Sequence, residues 1–205
     1  HLLRTPYDAI KDFAPVATIS SSAYVLVLHP SVPANNLQEF IALAKSKPGQ
    51  LNYASSSTGG GIHLAAEFFS VLAGVKMQHI PYKGGGPAIT GTISGQVQLQ
   101  FATPITALVH IKSGRLKAIA HAAETRSPFL PQVPTFSEAG LTGLDVKPWY
   151  GILAPAGTPK GIINKLSAEI AKTLTTPALK EKLVSLGMEP FISTPDQFAA
   201  LLKAD

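Results

Sequence analysis

The chain has 205 residues, 45% of them hydrophobic and only 14% charged, with a formal net charge of +5 and no cysteine. That hydrophobic share supports a real core and excludes a disordered chain. The absence of cysteine excludes disulfides, thiolate catalysis and Cys-ligated zinc. Basic residues stand singly, as at Lys45, Lys47, Lys112, Arg115, Lys160 and Lys172, so the clustered footprint of a nucleic-acid binder is missing. No apolar run reaches the ~18 residues of a membrane span, and no direct membrane insertion is expected.

Residues 1–12 lack a charged start followed by an apolar run, so no leader is read there. Strands are predicted over 16–20, 24–29, 51–54, 75–80, 97–101, 116–121 and 144–153, each rich in Val, Ile, Leu or Tyr and bounded by Pro, Gly or Asn. Amphipathic helices are predicted between them over 37–45, 62–73, 87–94, 104–113 and 136–139. This alternation argues for a mostly parallel sheet covered by helices.

Helix boundaries are marked. Asn36 with Glu39, and Thr135 with Glu138, have capping-box spacing. Gly74, Gly114 and Gly140 stand where helices would end in a left-handed residue. After residues 149–155 only helices are expected, each opened by Thr-Pro at Thr158-Pro159, Thr176-Pro177 and Thr194-Pro195. Ile163, Leu166, Ile170 and Leu174 then share one apolar face, which needs a surface to cover.

The stretch from Asn52 to His63 carries the clearest chemistry. A strand runs into Ser55-Ser56-Ser57-Thr58-Gly59-Gly60-Gly61 and then into a helix, which aims backbone N–H groups, hydroxyls and a positive helix end at one place. The loop is an anion site or a flexible capped turn. It is neither a phosphate-binding P-loop nor a dinucleotide fingerprint, because no Lys-Ser/Thr follows and the glycine spacing is wrong. A second loop, Pro81-Tyr82-Lys83-Gly84-Gly85-Gly86-Pro87, also joins a strand to a helix, with Lys83 either an anion contact or a solvated charge. His63 and Glu67 are four apart, but no third ligand has suggestive spacing, so His63 reads as a cap or packing residue and no metal or cofactor is expected. Ser55, Ser56 and Ser57 show no evident base partner and no Gly-x-Ser-x-Gly elbow exists, so no catalytic residue is assigned. Trp149 is a core residue or a cleft wall.

These residues resemble a known family. Tyr7-Asp8, Lys11–Val16, Lys47–Ser56, His63-Leu64-Ala65, His79–Gly84, Gly95-Gln96-Val97, Arg126-Ser127, Leu130-Pro131, Val133-Pro134-Thr135, Glu138–Leu141 and Trp149-Tyr150-Gly151 with Ala154–Pro159 are similar, in order, to the substrate-binding receptors of tripartite tricarboxylate transporters, the Bug receptors. The resemblance implies a type II periplasmic-binding α/β fold. It assigns residues 20–146 to a complete second lobe, 1–19 to a remnant of an incomplete first lobe and the crossover, and 147–205 to the crossover strand and C-terminal helices of that first lobe. It also implies that an N-terminal part of the family pattern is not in this chain.

As a function, the resemblance implies an extracytoplasmic, periplasmic bacterial receptor that captures small carboxylates for membrane transporter subunits, without enzymatic activity or nucleic acid. The implied ligand contacts are Ser55, Ser56, Ser57, Thr58, Gly59, Gly60, Gly61, Tyr82, Thr103 and Trp149. The family has Gly at the position of Ser57, and Ser or Thr near Gly60 and Gly61. It often has Asp-Asn where Ala102-Thr103 stands, and loss of that acid argues against an amino-group ligand. Dimerisation through exposed first-lobe helices is an expectation. A ligand-sensing module for a membrane signalling protein and an α/β enzyme are the competing classes, distinguished by ligand-dependent complex formation and by turnover.

Overall fold

The computed structural model describes residues 5–144 and 146–204. Its elements in chain order are β1 (Phe13–Ser21), β2 (Val25–Leu28), α1 (Leu37–Ser46), β3 (Asn52–Ser55), α2 (Gly61–Ala73), β4 (Gln78–Pro81), α3 (Gly85–Ile93), β5 (Leu99–Ala102), α4 (Pro104–Lys112), β6 (Lys117–His121), β7 (Trp149–Pro155), α5 (Lys160–Leu174), α6 (Pro177–Ser185), β8 (Glu189–Pro190) and α7 (Pro195–Ala204). The chain forms two compact units, one from Ala23–Pro148 and one from the described residues up to Ser22 and from Trp149 onward.

The Ala23–Pro148 unit is built on a five-stranded sheet of order β4-β3-β5-β2-β6. β3 pairs in parallel with β4 and β5, whereas β2 runs antiparallel to both β5 and β6. The sheet is therefore mixed, where the alternation of strands and helices predicted a mostly parallel one. All four residues of β2 are buried. A strand covered on both faces is apolar throughout whichever way it points, so its direction leaves no mark in the pattern.

Alternate residues of β2 serve opposite faces. Leu26 and Leu28 join Leu37 and Phe40 of α1, Phe69 of α2, Tyr53, Phe101 and Phe136. Val25 and Val27 pack with Ile89 of α3 and Ala107 and Leu108 of α4. In the first layer Phe69 lies 5.7 Å from Phe101 and 5.8 Å from Phe136, ring centre to ring centre.

Half of the predicted capping box forms at α1, with Glu39 N–H donated to Asn36 Oδ1 at 2.9 Å, while the Glu39 carboxylate accepts from the N–H of Asn35, one residue before the cap, at 2.7 Å. Thr135 and Glu138 also exchange their bonds, at 2.8 and 3.1 Å, but the helix predicted over 136–139 is only a turn. Gly140, with φ of 87°, closes it at once through Leu141 N–H to the Phe136 carbonyl. Arg126 clamps the turn from outside, bonding Glu138 at 2.8 Å and the Pro131 carbonyl at 3.0 Å.

The other unit has a three-stranded antiparallel sheet of order β7-β1-β8, on which α5 and α7 pack. β7 begins at Trp149, opposite Ser21 at the end of β1, rather than at residue 144. Pairing starts where a partner strand exists, and Asp145 lies outside the described residues. The tail was expected to hold only helices, yet β8 pairs Glu189 and Pro190 with Ser21 and Ser20. Two residues are too few to make a readable pattern.

Of the three Thr-Pro openings only Thr194 caps as predicted, accepting from Gln197 N–H at 3.2 Å. Thr158 and Thr176 instead donate to the preceding carbonyls of Pro155 and Thr173, which lie within reach at the close of earlier turns. On α5, Ile163, Ser167 and Leu174 are buried, while Leu166 is exposed on an open groove with Ile19, Ile152 and Leu179. The buried face is thus rotated from the predicted one, so that Ser167 takes the inner position.

Candidate ligand site

Parallel pairing brings the C-terminal ends of β3, β4 and β5 to one edge of the five-stranded sheet, and each strand leads there into a helix. Antiparallel β2 has its N-terminal end at the same edge, with Val25 opposite Ala102 and His121. The edge therefore collects the 55–61 loop, the 82–84 loop, Thr103, Tyr24 and His121. Two backbone bonds tie the first two loops together: Tyr82 N–H to the Ser55 carbonyl and Gly84 N–H to the Ser56 carbonyl, both 2.9 Å. A Cβ placed on Gly85 would stand 3.9 Å from Thr106 Cγ2. Thr106 in turn lies hydroxyl to hydroxyl with Thr103 at 3.2 Å, so the starts of α3 and α4 are neighbours.

Three helices begin at this edge, and their N-cap residues are Gly60, Gly84 and Thr103. None of the three receives a side-chain cap bond among the described residues. The first N–H groups of a helix have no partner within it. With three positive helix ends converging, the edge is suited to an anion. Gly59 and Gly84, with φ of 77° and 110°, supply backbone turns that L side chains rarely adopt.

The predicted contacts are not equivalent. Ser56, Ser57, Thr58, Gly59, Gly60 and Gly61 line the loop with at least partial exposure. Ser55 is fully buried, and its hydroxyl is held by the Ser57 carbonyl at 2.9 Å and by His79 Nε2 at 2.6 Å. That imidazole is the partner for Ser55 that sequence reasoning missed, because it comes from β4, 24 residues on. The Tyr82 ring packs over Gly91 and its hydroxyl donates to Gln96 at 3.3 Å. Lys83 is exposed. Trp149 belongs to the other unit, where its ring meets Phe198 edge-on at 5.2 Å.

The rings of His63, His79 and Tyr53 form a near-parallel cluster beside the loop. His63 lies face to face on His79 at 4.0 Å, and Tyr53 stacks on His79 at 5.0 Å. The Tyr53 hydroxyl donates to Glu67, and His63 Nε2 is 4.0 Å from the same carboxylate. Burial, and then the Glu67 contact, push the Tyr53 phenol well above its usual range, so it remains a donor. Burial and the neighbouring His63 lower the pKa of His79, against a smaller opposing pull from Glu67. No group of three His, Asp or Glu side chains placed to hold a metal ion, the His63, His79 and Glu67 set included, occurs among the described residues.

A family profile described as "Tripartite tricarboxylate transporter family receptor" matches residues 1–205. Curated relatives include the "UPF0065 protein in tcbD-tcbE intergenic region" of Pseudomonas sp. (strain P51), 34% identical over 98% of this chain and 60% of that protein. Another is "Protein BugT" of Bordetella pertussis, 35% identical over 94% of this chain and 59% of that one. The chain thus spans about 60% of the length of these relatives. Among solved structures, "R. palustris Rpa4515 with adipate" has a TM-score of 0.95 at 30% identity, covering 99% of this chain and 68% of that one. "MatC (Rpa3494) from Rhodopseudomonas palustris with bound malate" has a TM-score of 0.92 at 31% identity, covering 99% and 70%. With BugD, whose structure is described as a periplasmic binding protein and gives a TM-score of 0.91, these likenesses identify the fold as the periplasmic-binding-protein type.

Proposed function

Since this chain belongs to the tripartite tricarboxylate transporter receptor family, we propose that it captures a small carboxylate in the periplasm for delivery to a membrane transporter. The observation that carries this reading is the meeting of three helix starts without side-chain caps at one sheet edge. A carboxylate is the natural complement of such an edge. It accepts several N–H bonds at once, and each helix end adds about 0.3–1 kcal/mol in its favour. Ser56, Ser57, Thr58 and Thr103 bring hydroxyl donors. Ala102-Thr103 brings no acid to repel the ligand or to hold an ammonium group. The relatives bound to adipate and malate support a dicarboxylate, and tricarboxylates and aromatic carboxylates use the same donors.

The Ser55–His79 contact invites a hydrolytic reading, and its details oppose one. A nucleophile needs a hydroxyl open to substrate and a base ready to take its proton. Ser55 is fully buried. If its single proton goes to the Ser57 carbonyl, His79 must donate through Nε2 and cannot act as the base. Binding without turnover is the function proposed. Calorimetric titration of the chain with adipate, malate, citrate and benzoate tests it, with NMR of each compound after overnight incubation. Saturable heats with unchanged compounds are expected. Absence of binding by all four, or consumption of any, would reject it.

A further inference from the structure

Gly59 donates its backbone N–H to His63 Nδ1 at 3.0 Å, while Ser55, at the other end of the same loop, is held by His79. Two points of the 55–61 loop, Ser55 and Gly59, therefore rest on one pair of stacked, titratable rings. We propose that His63 and His79 are positioning residues for this loop, and that a proton arriving on His63 unfastens Gly59 and weakens carboxylate capture. The proposal rests on the ligand role assigned to the loop above.

The geometry fixes where each proton sits. Nδ1 of His63 accepts from Gly59, so neutral His63 carries its hydrogen on Nε2, facing Glu67 at 4.0 Å. A second proton can then bind only at Nδ1. Donor would face donor, and the Gly59 bond would be lost. The groups around His63 are Glu67 on its own helix, His79 from β4 and Tyr53 from β3, while Lys76 shares the depression lined by Glu67 and His79. Glu67 neutralises a cationic His63 in place, so the new charge adds little pull on a ligand. His79, stacked 4.0 Å away, has its pKa lowered chiefly by burial and so takes up a proton less readily than a free imidazole. What remains is a loop still held at Ser55 and Ser56 by His79, Tyr82 and Gly84 but released at Gly59, and that part must be ordered again when an anion binds.

The test compares the unaltered chain with His63→Asn and His63→Leu. Asparagine offers an amide oxygen where Nδ1 stands and does not titrate, whereas leucine offers no acceptor. NMR of the ligand-free chain follows the Gly59 amide and the histidine ring signals between about pH 8 and about pH 6, where carboxylates stay ionised. Adipate affinity is measured over the same range. In the unaltered chain the Gly59 amide is expected to track the His63 ring, and affinity to fall about five- to tenfold, the scale of one hydrogen bond. His63→Asn should be flat in pH, and His63→Leu weak throughout. A Gly59 amide indifferent to His63 titration overturns the proposal, as does a His63→Asn chain that keeps the original pH profile. If the amide responds while affinity stays level, the link to capture is wrong. If no carboxylate binds at any pH, the ligand reading fails, and the amide measurement still decides the positioning role.

Discussion

The Tyr24 hydroxyl occupies the space that a side chain on Gly61 would need. Gly61 opens α2, and a Cβ there would overlap Tyr24 Oη. Tyr24 is itself buried just ahead of β2, so it cannot simply swing away. Gly61→Ala should destabilise the chain by about 1–3 kcal/mol, the usual cost of overpacking. Helix propensity alone points the other way, favouring alanine by about 1 kcal/mol. The sign of the shift in a urea unfolding curve decides. In a Tyr24→Phe background the penalty should shrink, because the overlapping atom is gone.

Gly59 holds φ of 77°, a backbone that L side chains rarely adopt and that strains a β-branched one most. Gly59→Val should cost about 1–3 kcal/mol of local strain and displace the N–H that His63 accepts. Adipate affinity should drop about tenfold or more, with far-UV circular dichroism unchanged. Calorimetric affinity equal to that of the unaltered chain would count against the loop as the site.

Acid should weaken the fold in the histidine range. His121 is 1% exposed, and neither ring nitrogen has a hydrogen-bond partner among the described residues. Burial lowers its pKa, with a smaller opposing influence from the Leu130 backbone that stops short of a hydrogen bond. Burial also leads the lowering at His79 and His110. Each of these rings takes a proton more readily unfolded, near pH 6.5, than folded. The stabilisation they give is complete above that pH and is lost as pH falls through the lower folded values. Asp8 and Glu138, lowered mainly by backbone hydrogen bonds, extend the loss into the carboxylate range. Urea midpoints at about pH 7.5 and about pH 5.5 should differ, and His121→Phe should narrow the gap. A gap of unchanged size in that variant would remove His121 from the explanation.

Phe198 locks the smaller sheet. Its ring is fully buried, fills the space beside Gly151 and meets Trp149 edge-on. Phe198→Ala should cost about 3–5 kcal/mol. Hydrogen exchange should speed up in β1 and β7 and not in β3 or β5. Equal acceleration in both sheets would show that the two units do not unfold separately.

Much of this was legible in the chain. The order of strands and helices could be read because each apolar run is short and bounded by Gly, Pro or Asn, and α1 opens where Asn36 and Glu39 place it. The loop after β3 could be singled out as a candidate because a Ser/Thr/Gly run between a strand and a helix gathers free N–H groups and hydroxyls at one place. What stayed hidden depends on distance along the chain. His79 beneath Ser55, Tyr24 beneath Gly61 and the direction of β2 are products of sheet order, which no local pattern encodes. The turn at Thr135 misled for a different reason, because a capping box marks where a helix can begin and says nothing about how soon Gly140 ends it.

The placement of β2 between β5 and β6 has a further effect while the chain is being made. Val25, Leu26, Val27 and Leu28 emerge first among the strands of their sheet, yet both their neighbours, β5 and β6, come at least 70 residues later. Until Leu99–Ala102 has left the ribosome, β2 is an unpaired apolar strand with two open edges, the kind of segment that associates with other chains. Closing a loop of that length also makes sheet formation slow. Nascent chains halted before Leu99 should therefore need a holdase to stay soluble, and those halted after His121 should not.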